Sequence, residues 1–499
     1  MLHGERREGR IRDAARSVFY PFWDAGIPLG HAVRTVRQCV ALSRERLDAA
    51  TAHLDARLVW GDEELFARLR DGVVRIATDD PGAFLARLEE DAAARLASHG
   101  SCSQLLEPDL KESVGGLRDV HALGWIARAR GAENSTELVS RGLLRPGESV
   151  AVEDAEEFLI RLRSALHLET GRRRDRLVLE DQPAVARAFG FEATAGLDAP
   201  DALMRALFEH ARQVEHVRSS LMERARGRPS RVGAPEPSDA AGVVRAFADA
   251  AEAAAAAGAE LLEAAETAPR AEGRWPADLR RDFVRLLAST GGASALEAMD
   301  RVGFLPRLVP EWSAVRCRPQ RDPYHRFTVD VHLVRTAERA ARLLAGEVDD
   351  DPVLAAAAGG VIDRDAVVLG ALLHDIGKRG AGPHVPVGVE VATEILDRMG
   401  VDGSTASSVR FLVGEHLLLS DTATRRDLSD ENLVVDVAAR VGDPERLAML
   451  YVVTAADAMS TGPHAWSPWR QALIRELVGK VQHLLEAGGM DADRAVRLE

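Results

Sequence analysis

Residues 367–380 read VVLGALLHDIGKRG, an apolar helical run that stops at His374-Asp375 and is followed by Gly377 and Lys378. The apolar stretch Ala366 to Leu373 is eight residues long, well short of the roughly 20 needed to span a bilayer, and predicts a buried core helix. Two polar side chains at the end of such a helix are buried together, which costs several kcal/mol unless a partner satisfies them. A divalent cation is such a partner, because imidazole nitrogen with carboxylate oxygen suits Zn, Mn or Fe, and carboxylate with water suits Mg. Adjacent helical residues point about 100° apart, so both reach one ion only if it lies beside the helix end. Gly377 predicts that the helix ends there and leaves that space, and Lys378 adds a cation where a phosphoryl oxygen can be held.

Four more polar residues stand in otherwise apolar surroundings on either side. His332 lies in FTVDVHLVRTAERAARLL, His384 in the Gly/Pro loop AGPHVPVG, His416 in VRFLVGEHLLLS and Asp457 in LYVVTAADAMSTGP. A lone buried histidine is usually a hydrogen-bonded structural residue, so the weight rests on the ordered set. His332 and Asp457 are the natural candidates to join His374 and Asp375 around one ion. His384 and His416 complete a second metal position, although Pro383 and Pro386 restrict the loop that must present His384.

The 499 residues favour about three domains. Hydrophobic residues make up 46% and charged residues 28%, a globular composition. The 64 Lys and Arg against 78 Asp and Glu leave a net charge of −14, opposite in sign to a broad nucleic-acid-binding surface, so no nucleic-acid partner is expected. Cys39, Cys102 and Cys317 are far apart with no CxxC spacing. They form neither a disulfide framework nor a thiolate zinc site and point to a reducing cytoplasm. The opening MLHGERREGR is charged and lacks the apolar core of a signal peptide, and no membrane partner is expected. Aromatics at 5% leave the cores to Leu, Val and Ala, which pack helices well.

Along the chain, RIRDAARSVFYPFWDAG predicts a first helix, kinked or ended at Pro21 and finished near Gly26. Residues 30–35, GHAVRT, are a short strand candidate, part of a larger α/β unit. Residues 38–97 are helical with breaks at Gly61-Asp62 and at Asp79-Asp80-Pro81-Gly82. A Gly115-Gly116 turn precedes a helix from Leu117, and its glycines demand close backbone approach, which favours a packing role for Lys111, Arg118 and Asp119. Arg172-Arg173-Arg174 reads as a solvated helix end. The clearest linker is RGRPSRVGAPEPSD, residues 226–239. After it comes an alanine-rich helix, residues 240–267, which with few large apolar groups is expected to cover a surface rather than fill a core.

The order His332, His374-Asp375, His384, His416, Asp457 resembles the HD-domain metal-dependent phosphohydrolase superfamily, an all-α fold. Three stretches resemble the uridylyl-removing domain of bifunctional PII uridylyltransferases: Tyr324-His325-Arg326-Phe327-Thr328-Val329-Asp330, LVGEHLLLSDTATRRDLSD (412–430) and VTAADAMSTGPHAWSPWRQALIREL (453–477). Lys111-Glu112-Ser113 with Gly115-Gly116-Leu117-Arg118-Asp119 resembles the KExxGGLRD signature after that family's nucleotidyltransferase domain. FLIRLRSALHLETGRRRDRL is similar to the helix that follows it, and WDAGIPLGHAVRT to the end of the nucleotidyltransferase domain. The family's Ser-Asp-x-Asp element and its C-terminal ACT domains have no counterpart in these 499 residues.

The resemblance implies a mainly α protein. Residues 1–105 would be a remnant of an α/β nucleotidyltransferase-like domain, 106–225 a helical PII-uridylyltransferase-associated domain, 226–281 a linker with the Ala-rich helix, and 282–499 an all-α HD domain. The implied reaction is removal of a uridylyl or adenylyl group from a PII signal protein, assisted by a divalent metal, Mg or Mn or similar. His332, His374, Asp375 and Asp457 would hold the main metal, and His384 and His416 a second ion or the non-bridging oxygens. His374, Asp375 and Lys378 would be catalytic, and His325 and Lys378 would contact the phosphate. Uridylyl transfer is not expected without the paired carboxylates. Three alternatives stay open: an incomplete copy of the bifunctional enzyme, an HD phosphohydrolase acting on free nucleotides, and a regulatory scaffold that binds without turnover.

Overall fold

Asp and Ser punctuate the helices of this chain, often with proline behind them. Asp80, Asp351 and Asp443 each accept backbone N–H bonds from the first turn of the helix they precede, and Pro81, Pro352 and Pro444 follow them directly. The carboxylate satisfies donors that a helix start leaves orphaned, while proline lacks the N–H that would have no partner there. The breaks expected near residues 61–62 and 79–82 are such caps: Asp62 accepts from Leu65 and Asp80 from Ala83.

The computed structural model describes residues 1–4, 8–27, 29–194, 196–227, 239–255, 257–321, 327–348, 351–380, 382–401, 403–462 and 464–487. Among these residues the chain is helical, and isolated bridges at Leu2–Arg34, Ser101–Val114 and Thr194–Leu197 take the place of any sheet. The mainly α reading holds. The strand expected at residues 30–35 does not form; among the described residues Arg34 makes a single bridge to Leu2, and one bridge does not build the paired ladder that a strand needs. Pro21 lies inside the first helix, Glu8–Asp24. No described helix is long and apolar enough to cross a membrane.

The chain divides into two compact units. The first comprises Met1–Cys102, Asp109–Arg163 and His210–Arg228, and the second Ser103–Pro108, Ser164–Glu209 and Pro229–Glu499. In the first, Phe84, Leu85, Trp125 and Ile126 are buried in a core with Val217 and Leu221. Its Gly115-Gly116 turn works as the packing reading expects. Gly115 has φ +83°, and a Cβ on Gly116 would sit 2.8 Å from the Leu110 carbonyl oxygen. Asp119 is fully buried; it pairs with Arg95 at 2.5 Å and Arg218 at 3.3 Å and accepts the Gly115 N–H at 2.8 Å. Lys111 and Arg118 both pair with Glu112.

In the second unit, Arg172 and Arg173 are exposed just past a helix that ends at Thr170. Most of the linker, residues 228–238, lies outside the described residues. The alanine-rich stretch is two helices, Ala240–Glu252 and Ala259–Thr267, and not one. It does not cover a surface: Val243, Val244, Phe247, Ala248 and Ala251 are buried in the unit's main core. Small side chains here allow close approach, and a Cβ on Gly291 would lie 2.4 Å from the Ala251 carbonyl oxygen. The same core takes in the helices that carry the six polar residues singled out from the sequence.

Candidate metal centre

Five helices position the site. His332 lies in the first turn of Val329–Leu344, and His374 is the C-cap of Arg364–Leu373. His384 opens His384–Met399, His416 directly follows Gly403–Glu415, and Asp457 lies within Pro444–Thr461. The His332 helix packs against both the helix before His374 and the Asp457 helix. Val367, Leu369, Ala371, Leu450, Val452 and Val453 are buried there to 1% exposure or less, and each large one contributes on the order of 1.5–3 kcal/mol. That burial holds the polar residues in place against their own desolvation cost.

The six donors fall into two groups, each with its ligand atoms within 4.8 Å of one another: His332, His374 and Asp457, and Asp375, His384 and His416. In the first group His332 Nε2 lies 3.2 Å from His374 Nε2 and 2.9 Å from Asp457 Oδ1. In the second, His384 Nε2 and His416 Nε2 both stand 3.6 Å from Asp375 Oδ1. The other oxygen of Asp375, Oδ2, is 3.5 Å from His374 Nε2 and 3.8 Å from His332 Nε2. One carboxylate therefore faces both groups, one oxygen to each. The sequence alone puts Asp375 with the first group only.

Second contacts orient the rings. His374 Nδ1 donates to the Ala371 carbonyl at 2.9 Å and His416 Nδ1 to the Val413 carbonyl at 2.8 Å. With that nitrogen carrying the proton, each Nε2 presents a lone pair to the centre, the arrangement that metal-ligating histidines adopt. These carbonyls, three residues back, have no side-chain signal and escape sequence reading; a histidine just past a helix end is the pattern that finds them.

Electrostatics favour a cation. Burial works against the Asp375 charge, but His374, Lys378, His416 and His332 outweigh it and hold its pKa well below the usual carboxylate range. Asp457 is likewise held well below that range by His332 and His374 against burial. Burial opposes a charge on His374, yet Asp375 and Asp457 raise its pKa above the ordinary imidazole value. Burial, then the neighbouring His374, pushes His416 down to about 4, and burial lowers His384. Asp375 Oδ1 is buried with no hydrogen-bond partner. An orphaned carboxylate oxygen is costly to leave unmatched, and two imidazoles lie beside it, so the residues present fit a divalent metal of the kind that accepts mixed nitrogen and oxygen donors.

His332, His374, Asp375 and His416 are sealed from solvent, whereas Asp457, Lys378 and His384 keep 21%, 21% and 32% of their side chains exposed. Those three mark the open side. Lys378 Nζ pairs with Asp375 Oδ2 at 2.6 Å, beside both groups. Gly377 explains how His384 arrives: a Cβ there would lie 2.0 Å from the His384 carbonyl oxygen and 2.4 Å from the Gly388 nitrogen. His384 is the first helical residue behind Pro383 and not part of a loop, and Pro386 sits in the first turn, where proline is tolerated. His325 lies outside the described residues.

Residues 82–222 match the family model described as GlnD PII-uridylyltransferase, and residues 329–442 match the HD domain. The chain is 36% identical to the bifunctional uridylyltransferase/uridylyl-removing enzyme of Streptomyces coelicolor over 97% of its own length and 59% of that protein. It is 33% identical to the protein of that name in Mycobacterium tuberculosis, over 97% of this chain and 61% of the relative. The chain thus carries matches to both the GlnD PII-uridylyltransferase model and the HD domain, and it is similar along nearly all of its own length to relatives of one name. It spans somewhat over half the length of the family members it matches, and the match to the HD domain runs through His332, His374, Asp375, His384 and His416. Asp457 lies beyond the matched residues but within the same core.

Proposed function

We propose that this chain is a metal-dependent phosphodiesterase that removes a uridylyl or adenylyl group from a PII signal protein. One observation carries the reading: two three-residue donor groups face each other across Asp375, and Lys378 stands beside them on the open side. His332, His374, Asp457 and one Asp375 oxygen would hold a main ion, and His384, His416 and the other oxygen a second. A divalent cation there would neutralise phosphoryl oxygens and make water a competent nucleophile near neutral pH. The printed names of the relatives, uridylyl-removing among them, support the choice of a nucleotidylated protein as substrate.

The chain's own residues have separate tasks. Lys378 offers a point charge to a non-bridging phosphate oxygen, and its ion pair with Asp375 fixes where that charge sits. The Ala371 and Val413 carbonyls keep the His374 and His416 rings in one tautomer and one orientation. The sealed face excludes bulk water behind the donors, so the ester must enter past Lys378, His384 and Asp457. His325 would make a further phosphate contact. The PII protein would be the partner in the cytoplasm.

The test is to incubate the purified chain with Mn2+ or Mg2+ and nucleotidylated PII, then measure the mass of PII. Loss of one nucleotidyl group that chelator prevents is the expected result. Unchanged PII alongside hydrolysis of free nucleotides overturns the substrate assignment, and no hydrolysis of either overturns the enzyme reading.

A further inference from the structure

Just before the His332 helix the chain makes an unusual turn. Cys317 has φ +54°, a left-handed conformation that a side chain disfavours. It is held there by its N–H, which donates to the buried Asp330 Oδ2 at 2.9 Å. The next residue, Arg318, accepts the Val329 N–H on its carbonyl at 2.9 Å. Asp330 and Val329 both belong to the first turn of the helix that carries His332. The turn is therefore stapled to a helix that bears a candidate ligand, and the staple decides where the Arg318 side chain goes.

That side chain reaches the segment directly after Lys378. Arg318 Nη1 donates to the Arg379 carbonyl at 3.0 Å, and Nη2 donates to the Gly196 carbonyl at 2.5 Å. Arg379 directly follows Lys378. Gly196 has φ +97°, and a Cβ on it would lie 3.1 Å from the Arg379 carbonyl oxygen and 3.2 Å from Gly380 Cα. Residues 378–380 are thus braced by a guanidinium and by a glycine whose backbone lies against them. The same short segment has few internal restraints, chiefly the Lys378 N–H to Asp375 and Arg379 N–H to Gly377 bonds. The helices that bear His332, His374 and Asp457 are fixed by their own core and do not depend on this brace.

We propose that Arg318 is a positioning residue of the centre, which by forking between the Arg379 and Gly196 carbonyls fixes the loop of Lys378 for a phosphate-bearing ligand. The planar guanidinium suits this task because its donors leave in fixed directions, which an ammonium cannot reproduce. The proposal rests on the reading of Lys378 as a phosphate contact given above, and the test separates the two.

Hydrogen exchange in the metal-free protein reads the brace directly. Arg318→Ala speeds exchange across residues 376–380 about tenfold, the size of one lost hydrogen bond from a charged donor, while residues 366–373 exchange as before. Calorimetric titration of the Mn2+-loaded protein with inorganic phosphate reads its consequence. Arg318→Ala weakens phosphate about tenfold with Mn2+ affinity held within about twofold, and adding Lys378→Met to it causes no further loss. Unchanged exchange overturns the proposal. So does full phosphate affinity in Arg318→Lys, which would mean that charge and not the fork matters. Faster exchange with no phosphate effect from either Arg318→Ala or Lys378→Met leaves the brace standing and removes the phosphate role of Lys378.

Discussion

Two buried charged clusters in this chain have opposite economies of hydrogen bonding. Around Asp119 each carboxylate oxygen has a hydrogen-bond donor, Arg95 on Oδ1 and the Gly115 N–H on Oδ2, with Arg218 paired by charge at 3.3 Å. Around Asp375 the groups are mostly acceptors aimed inward, imidazole lone pairs and carboxylate oxygens, and Asp375 Oδ1 has no hydrogen-bond partner. Asp119 ends a stretch rich in glycine and charge, and Asp375 stands near the start of another. The first cluster is closed and fixes a turn; the second is open on the side of Lys378 and leaves one carboxylate oxygen without a donor between two imidazoles. A buried ionic group is thus informative for function mainly when its own neighbours fail to satisfy it.

The largest expected difference between the clusters is catalytic. His374→Ala combined with Asp375→Ala lowers metal-dependent release of the nucleotidyl group at least about a thousandfold, the loss of several kcal/mol of charge stabilisation, while far-UV circular dichroism stays as in the parent. Retained, chelator-insensitive hydrolysis would dissolve the contrast. Next is the closed cluster. Asp119→Ala leaves Arg95 and Arg218 buried without their carboxylate and costs about 3–5 kcal/mol, seen as faster hydrogen exchange in residues 117–129 with Mn2+ affinity unchanged. If exchange there is unaltered, the cluster does not hold the turn.

Smaller effects sharpen the picture. Gly377→Ala forces the start of the His384 helix away and costs about 1–3 kcal/mol; a lowered melting temperature together with weaker Mn2+ binding is the expected pair, and normal metal binding would detach His384 from the centre. The smallest concerns another closed group, Glu148, paired with Arg224 at 2.6 Å and Arg145 at 2.8 Å. Burial opposes its charge, but the two arginines hold its pKa down to about 2 from an ordinary 4.5. Its contribution to stability is therefore present above about pH 4.5 and is lost as the pH falls towards about 2. Denaturant midpoints at pH 6 and pH 3 should converge for the parent and Glu148→Gln as the solution becomes acidic; a constant gap would show that the ion pairs contribute nothing that titrates.

Much of the second unit is legible in sequence because each candidate ligand breaks an apolar pattern. His332 and Asp457 interrupt runs of Val, Leu and Ala, and His374-Asp375 ends one. The division into two donor groups is not legible, since it depends on the separate directions of two oxygens of one carboxylate. His384 was obscured by its prolines, whose effect reverses once the residue is the start of a helix. Alanine misled at residues 240–267, where a small side chain signals a neighbour that comes close and not a solvent-facing surface, as Ala251 against Gly291 shows. The strand expected at residues 30–35 failed for the opposite reason, because extended pairing is a property of two segments and a single segment cannot announce it.

Asp375 also limits how the centre can change. A carboxylate whose two oxygens face two donor groups offers no intermediate setting: adjusting it towards one group disturbs its approach to the other. Substitutions at this position should therefore abolish the whole site in one step, whereas those at His384 or Asp457 leave room for gradual adjustment.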